Sequence, residues 1–180
     1  MKIKKRLDVL LTERLYADSR SKAQAIIMSG NVYVNGQKET KAGTSIKAED
    51  CIELRGEKMP YVSRGGYKLE KAVKEFSLEL NNCVCMDIGA STGGFTDVLL
   101  QNGAAHVYSI DVGFGQLDWK IRNDERVTVM ERTNARAITA DMFDQHPTLA
   151  VMDVSFISIK LILPAAMQVL GEKGRFITLI

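Results

Sequence analysis

The sequence predicts an α/β protein in which a parallel sheet with crossover helices follows a small α+β module. Three observations carry this. From residue 83 onward, apolar runs of strand length at 83–88, 106–112, 127–131, 149–154 and 175–180 alternate with helix-like stretches, the pattern of a parallel sheet. A glycine-rich turn follows the first run. Residues 4–55 read instead as two short helices and a small sheet, set off by the Gly-, Pro- and Lys/Arg-containing stretch 56–66, which has the composition of a linker. The two domains are therefore placed at 1–60 and 61–180.

Each element has its own signal. Leu7, Leu10 and Leu11 fall on one helical face. The chain breaks at 16–18, and Asp18 or Ser19 can cap a second helix carrying Ala23, Ile26 and Ile27. Gly30 stands where a helix C′ residue belongs. A short strand at 31–34 runs into Asn35-Gly36, a hairpin turn signal, and another strand is expected at 51–54. After the linker, a helix beginning near Gly66 carries Tyr67, Leu69, Ala72, Val73 and Phe76. Between the later strands, helices are expected at 96–101 and 159–170.

Composition narrows the function. No apolar run is long enough to span a bilayer, and the basic, amphipathic start lacks a secretory h-region, so a cytoplasmic protein without a membrane role is expected. The three cysteines suit no disulfide framework, and Cys83-Val84-Cys85 lacks zinc-ligand spacing; plain thiols and no metal site are expected. Residues 1–60 carry a charge balance of +4 against −2 for the remainder, which points to a polyanion partner for the N-terminal part.

Chemistry-bearing residues cluster at the predicted strand ends. The run Asp87-Ile88-Gly89-Ala90-Ser91-Thr92-Gly93-Gly94-Phe95 lies between a strand and a helix, where glycines let a ligand approach the backbone at the carboxyl end of a parallel strand. Its spacing differs from the G-x-G-x-x-G of dinucleotide enzymes. Asp111 ends the second strand, where a carboxylate can accept from ribose hydroxyls. Asn134 follows the third strand and could read an adenine edge or simply form a turn. Asp153 ends the fourth strand, facing the same crevice or capping the next helix. Lys68, in Ser63-Arg64-Gly65-Gly66-Tyr67-Lys68-Leu69, matters only if its helix packs beside that crevice.

These residues resemble a known family. Arg6-Leu7-Asp8, Ser19-Arg20-Ser21-Lys22-Ala23 and Gly30-Asn31-Val32-Tyr33-Val34-Asn35-Gly36 look like an S4 RNA-binding domain. The remainder looks like a Rossmann-like, FtsJ/RrmJ-type methyltransferase domain. Together with Asp111-Val112-Gly113-Phe114-Gly115-Gln116-Leu117, they resemble the TlyA family, often labelled hemolysin A. The resemblance implies S-adenosylmethionine-dependent 2′-O-methylation of cytidines in ribosomal RNA, with ribosomal RNA or ribosomal subunits as partners. It implies Lys68 and Asp153 as two of four catalytic positions, and Asp87, Gly89, Gly93, Gly94, Phe95, Asp111 and Asn134 as cofactor-binding. Lys4, Lys5, Arg6, Arg20, Lys22 and Lys38 are the expected phosphate contacts. The family's second catalytic lysine and its glutamate find no match up to Ile180, so a chain of this length is expected to lack the last strands and to be nearly silent in catalysis.

Two other functions compete with this reading. One is a non-catalytic RNA-binding module that keeps a cofactor pocket. The other is membrane disruption, which the hemolysin label suggests but which finds no spanning or interfacial helix in the sequence.

Overall fold

The structure is a computed structural model that describes residues 4–55, 59–155 and 157–179. The chain divides into two compact units, Met1–Lys58 and Met59–Ile180.

The first unit begins with strand β1 (Lys4–Arg6), followed by helices α1 (Leu7–Glu13) and α2 (Arg20–Met28). Four short strands follow: β2 (Val32–Val34), β3 (Gln37–Glu39), β4 (Ser45–Lys47) and β5 (Ile52–Leu54). The expected small sheet is in fact two sheets. β1 pairs antiparallel with β4, and β2 lies between β3 and β5. Ser19 is the cap of α2, its side chain accepting from the Lys22 backbone nitrogen; Asp18 is not. The Asn35-Gly36 turn joins β2 to β3 with φ of +50° and +80°, as a tight hairpin requires. Leu7, Leu10, Leu11, Ala23, Ile27, Val32 and Ile52 form the core, so the leucine and alanine–isoleucine faces read from sequence meet each other.

The second unit is the α/β domain. Its elements are α3 (Gly65–Glu75), β6 (Val84–Ile88), α4 (Gly94–Gln101), β7 (His106–Ile110), α5 (Trp119–Arg122), β8 (Val127–Met130), β9 (Leu149–Met152), α6 (Leu163–Leu170) and β10 (Arg175–Thr178). All strand pairs are parallel, in the order β10-β9-β6-β7-β8. The order reverses between β6 and β9, and that switch point is where open parallel sheets bind ligands. The sheet separates two apolar layers: Leu69, Val98, Leu99, Val107 and Val151 on one face, and Met86, Tyr108, Ile110, Met152 and Ala166 on the other.

Several expectations need correction. Of the supposed linker, residues 56–58 lie outside the described residues; beyond them Tyr61 is buried and the Val62 nitrogen donates to Asp97, so this stretch is folded. α4 starts at Gly94, not at residue 96. The helix expected over 159–170 is a 3-10 turn at Ile159–Leu161 followed by α6, with Pro164 in its first turn, where a missing N–H costs nothing. Phe76 caps α3 and is exposed rather than packed in the core. Ile180 lies outside the described residues. Cys51, Cys83 and Cys85 are free thiols. No helix among the described residues is long and apolar enough to cross a membrane.

Candidate active site

The site is built at the carboxyl ends of β6, β7 and β9. Past β6 the chain turns through Gly89 and Gly93, both at positive φ, and enters α4. The turn is held from behind by Asp87. Its Oδ2 accepts from both the backbone nitrogen of Thr96 (2.8 Å) and its hydroxyl (2.7 Å), and that hydroxyl also meets Ser109 Oγ at 2.8 Å. Asp87 is 1% exposed. Burial, helped by the charges of Asp111 and Asp153, pushes its carboxyl up to about 7 against the pull of the Thr96 bonds.

Asp111 closes the second side. Its Oδ2 accepts from the Ser91 nitrogen at 2.8 Å, and its Oδ1 from the Gly113 nitrogen at 2.7 Å. One carboxylate therefore ties the glycine turn to the loop after β7 while keeping further lone pairs for a ligand. Asn134 caps a 3-10 turn, its Oδ1 accepting from the Arg136 nitrogen and Nε, so its amide nitrogen is the group with donors to offer.

The third side is an ion pair. Lys68 Nζ donates to Asp153 Oδ2 at 2.6 Å, joining α3 to the end of β9 across 85 residues of sequence. Close packing makes this possible. A Cβ on Gly94 would overlap Ser63 Oγ and stand 2.9 Å from the Gly66 nitrogen, so a side chain there would push α3 off α4. The pair is half in solvent, with side-chain exposures of 52% and 30%. Such pairs add only about 0–1 kcal/mol to stability, so this one contributes position far more than cohesion.

Together these residues surround a cleft of about 710 Å³ lined by Lys68, Gly89, Gly94, Phe95, Asp111, Asn134 and Asp153 among others. Two residues expected to bind cofactor do not line it. Asp87 is sealed behind Thr96, and Gly93 turns toward Leu117 and Ile121, so both shape the turn without reaching the cleft. Ser63, Ser91 and Gln116 do line it and were not singled out from sequence. Ser63 lies just ahead of α3, the helix that carries Lys68, and Gln116 Oε1 lies 3.5 Å from Ser91 Oγ, but neither residue type announces a site. Among the described residues no group of three or more acids, histidines or cysteines could hold a metal ion.

The basic residues of the first unit are only partly available. Lys5 pairs with Glu13 and Lys22 with Asp18. Arg6 and Arg20 both bond Asp8. Lys38 brings its Cε and Nζ against Gly30, and Lys4 is exposed on β1.

Comparison with known proteins agrees with this layout. Residues 61–179 match the FtsJ-like methyltransferase family and residues 5–52 the S4 domain. The Bacillus subtilis protein YqxC is 54% identical over 162 residues, covering 89% of this chain and 58% of that protein. The Mycobacterium tuberculosis 16S/23S rRNA (cytidine-2′-O)-methyltransferase TlyA is 44% identical over 161 residues, covering 89% of this chain and 60% of that protein. This chain therefore spans about three fifths of the length of these two relatives. A solved structure from Streptococcus thermophilus, named as a hemolysin, superposes with a TM-score of 0.70 at 45% identity, covering 99% of this chain and 66% of that one.

Proposed function

The chain belongs to the FtsJ-like methyltransferase family, and on that premise we propose that it works in the cytoplasm, methylating the ribose 2′-hydroxyl of cytidines in ribosomal RNA with S-adenosylmethionine as donor. The observation that carries the proposal is the Lys68–Asp153 pair standing on the rim of the glycine-turn cleft.

The cleft suits that cofactor. Its volume falls within the range of about 300–1,000 Å³ usual for small-molecule sites. Asp111 offers lone pairs to ribose hydroxyls, Asn134 offers amide donors to an adenine edge, and Asp111 and Asp153 supply negative charge for a cation. S-adenosylmethionine, when bound, supplies an electrophilic methyl on a sulfonium. The residues present here position the reactants. Lys68 keeps donors beyond the one given to Asp153, and these can be aimed at a lone pair of the ribose 2′-oxygen, holding it in line with the methyl; the hydroxyl proton, which must leave as the O–C bond forms, would pass to water or to Asp153 Oδ1. Asp153 fixes the ammonium so that this alignment precedes the reaction. Lys4, Lys5, Arg6, Arg20, Lys22 and Lys38 are the candidate phosphate contacts that would hold RNA or a ribosomal subunit.

The test is mass spectrometry of ribosomal RNA nucleosides from cells lacking the gene. We expect 2′-O-methylcytidine to be lost, restored by the wild-type gene, and not restored by Lys68→Ala or Asp153→Asn at equal protein level. Full restoration by both variants would refute the roles given to the pair, and unchanged 2′-O-methylcytidine in the deletion would refute the reaction.

A further inference from the structure

Among the described residues of the first unit one carboxylate is completely buried, and it lies amid the basic residues. Asp8 is 0% exposed and collects donors from three side chains. Arg6 Nε donates to its Oδ1 and Arg6 Nη2 to its Oδ2, both at 3.0 Å. Arg20 Nε donates to Oδ2 at 3.0 Å, and Gln24 Nε2 donates to the same oxygen at 2.8 Å. The backbone is anchored as well, the Asp8 nitrogen donating to Ala42 O. Arg6 comes from β1 and Arg20 from the first turn of α2, so one buried acid fixes two arginines that the sequence separates. Their side chains nevertheless remain 48% and 56% exposed.

The donors left over are the informative part. A guanidinium has five N–H groups in one plane. Among the described residues Arg20 spends only its Nε on Asp8, which leaves both terminal nitrogens, and Arg6 keeps Nη1 and half of Nη2. A buried ion pair made only for cohesion would be an inefficient choice, since removing charges from water costs about as much as the pair regains. Two exposed planar forks held rigidly from one side are, by contrast, suited to a phosphate, which planar donors grip in pairs.

We propose that Asp8 is a positioning residue that presents Arg6 and Arg20 as a paired clamp for RNA phosphate. This rests on the reading that the first unit binds RNA through these arginines. It makes a prediction opposite to simple charge. Asp8→Asn raises the net charge by one, so electrostatics alone would tighten RNA binding and steepen its salt dependence. Positioning requires that binding weaken instead.

The experiment measures binding of the full chain to transcribed 16S and 23S ribosomal RNA over a range of salt, with circular dichroism reporting folding. The variants are Asp8→Asn, Arg20→Lys, Arg6→Ala/Arg20→Ala and the triple combination. We expect Asp8→Asn to bind roughly tenfold more weakly, the scale of a lost charged hydrogen bond, with the log–log salt slope reduced by about one to two. Arg20→Lys, which keeps the charge but has no second fork, should weaken binding comparably. The triple variant should bind no worse than Arg6→Ala/Arg20→Ala, because Asp8 acts only through those two side chains. Binding by Asp8→Asn as tight as the parent or tighter overturns the proposal. Should Asp8→Asn unfold the unit, wild-type affinity in Arg20→Lys overturns it equally. An Arg6→Ala/Arg20→Ala variant with undiminished affinity would remove the underlying RNA reading, an outcome distinct from failure of Asp8 alone.

Discussion

Gly94→Ala separates intrinsic helix preference from the packing that builds the site. Alanine is ordinarily better than glycine in a helix by about 1 kcal/mol, and Gly94 opens α4 without the positive φ of its neighbour Gly93. Local preference therefore favours the substitution. The structure opposes it, because the added Cβ would overlap Ser63 Oγ and stand 2.9 Å from the Gly66 nitrogen and 3.4 Å from the Gly65 carbonyl carbon. The hydroxyl can rotate away; the backbone can yield only if the start of α3 moves. Overpacking of this kind costs about 1–3 kcal/mol, so after the helix gain the net loss should centre on about 1 kcal/mol. For a unit of this size that lowers Tm by roughly 5 °C. Ser63 and Gly65 line the cleft beside Gly94 and move with the start of α3, so S-adenosylmethionine affinity measured by calorimetry should fall as well. Ser63→Gly/Gly94→Ala should recover only part of both, since the Gly66 contact persists. A Gly94→Ala protein that melts at or above the parent temperature and binds cofactor normally would refute the claim that α3 and α4 are held at backbone contact.

Asp111→Ala removes the acceptor shared by the Ser91 and Gly113 nitrogens as well as the candidate ribose contact, so cofactor affinity by calorimetry should fall by at least about tenfold; an unchanged affinity would dismiss Asp111 as a ligand. Ser19→Ala deletes the side-chain cap of α2 and should cost about 1 kcal/mol in urea unfolding. The two buried acids should give opposite pH signs. Burial raises Asp87 from 3.8 to about 7, so its contribution is whole below its unfolded value and is lost as pH rises through about 7; Arg6 first, then Gln24 and Arg20, lower Asp8 against the opposing effect of burial, so its contribution is whole above the unfolded value and is lost in acid. Denaturant midpoints at about pH 5 and pH 8 should therefore show Asp87→Asn gaining on the parent as pH rises, and no such crossover would mean that Asp87 titrates normally.

How far the molecule can be read from its sequence depends on how many residues each feature spans. Leu149–Met152 is buried along its whole length, so it stands out as an apolar run. β1 and β4 are three residues each, and with Lys4, Lys5, Arg6 and Lys47 among their six residues they carry no alternation long enough to see. α5, at four residues, is likewise shorter than one helical repeat can reveal. The Lys68–Asp153 pair was reachable only because each residue sat beside a recognisable motif; no local pattern states that α3 packs close enough for them to meet. That information resides in Gly94, whose missing side chain is uninformative until the backbone of Gly65 and Gly66 opposite it is known. Asp8 and Asp87 show the same limit in the chemistry. In sequence one is an acid in a basic stretch and the other an acid at a strand end, and the strand-end acid looked like the ligand. Burial changes that order. Asp87 spends its Oδ2 on Thr96 behind the turn, whereas Asp8 holds arginines whose other faces remain in water. What a carboxylate does here follows from which of its partners still reach solvent, a property of the packed structure that residue type and spacing do not encode.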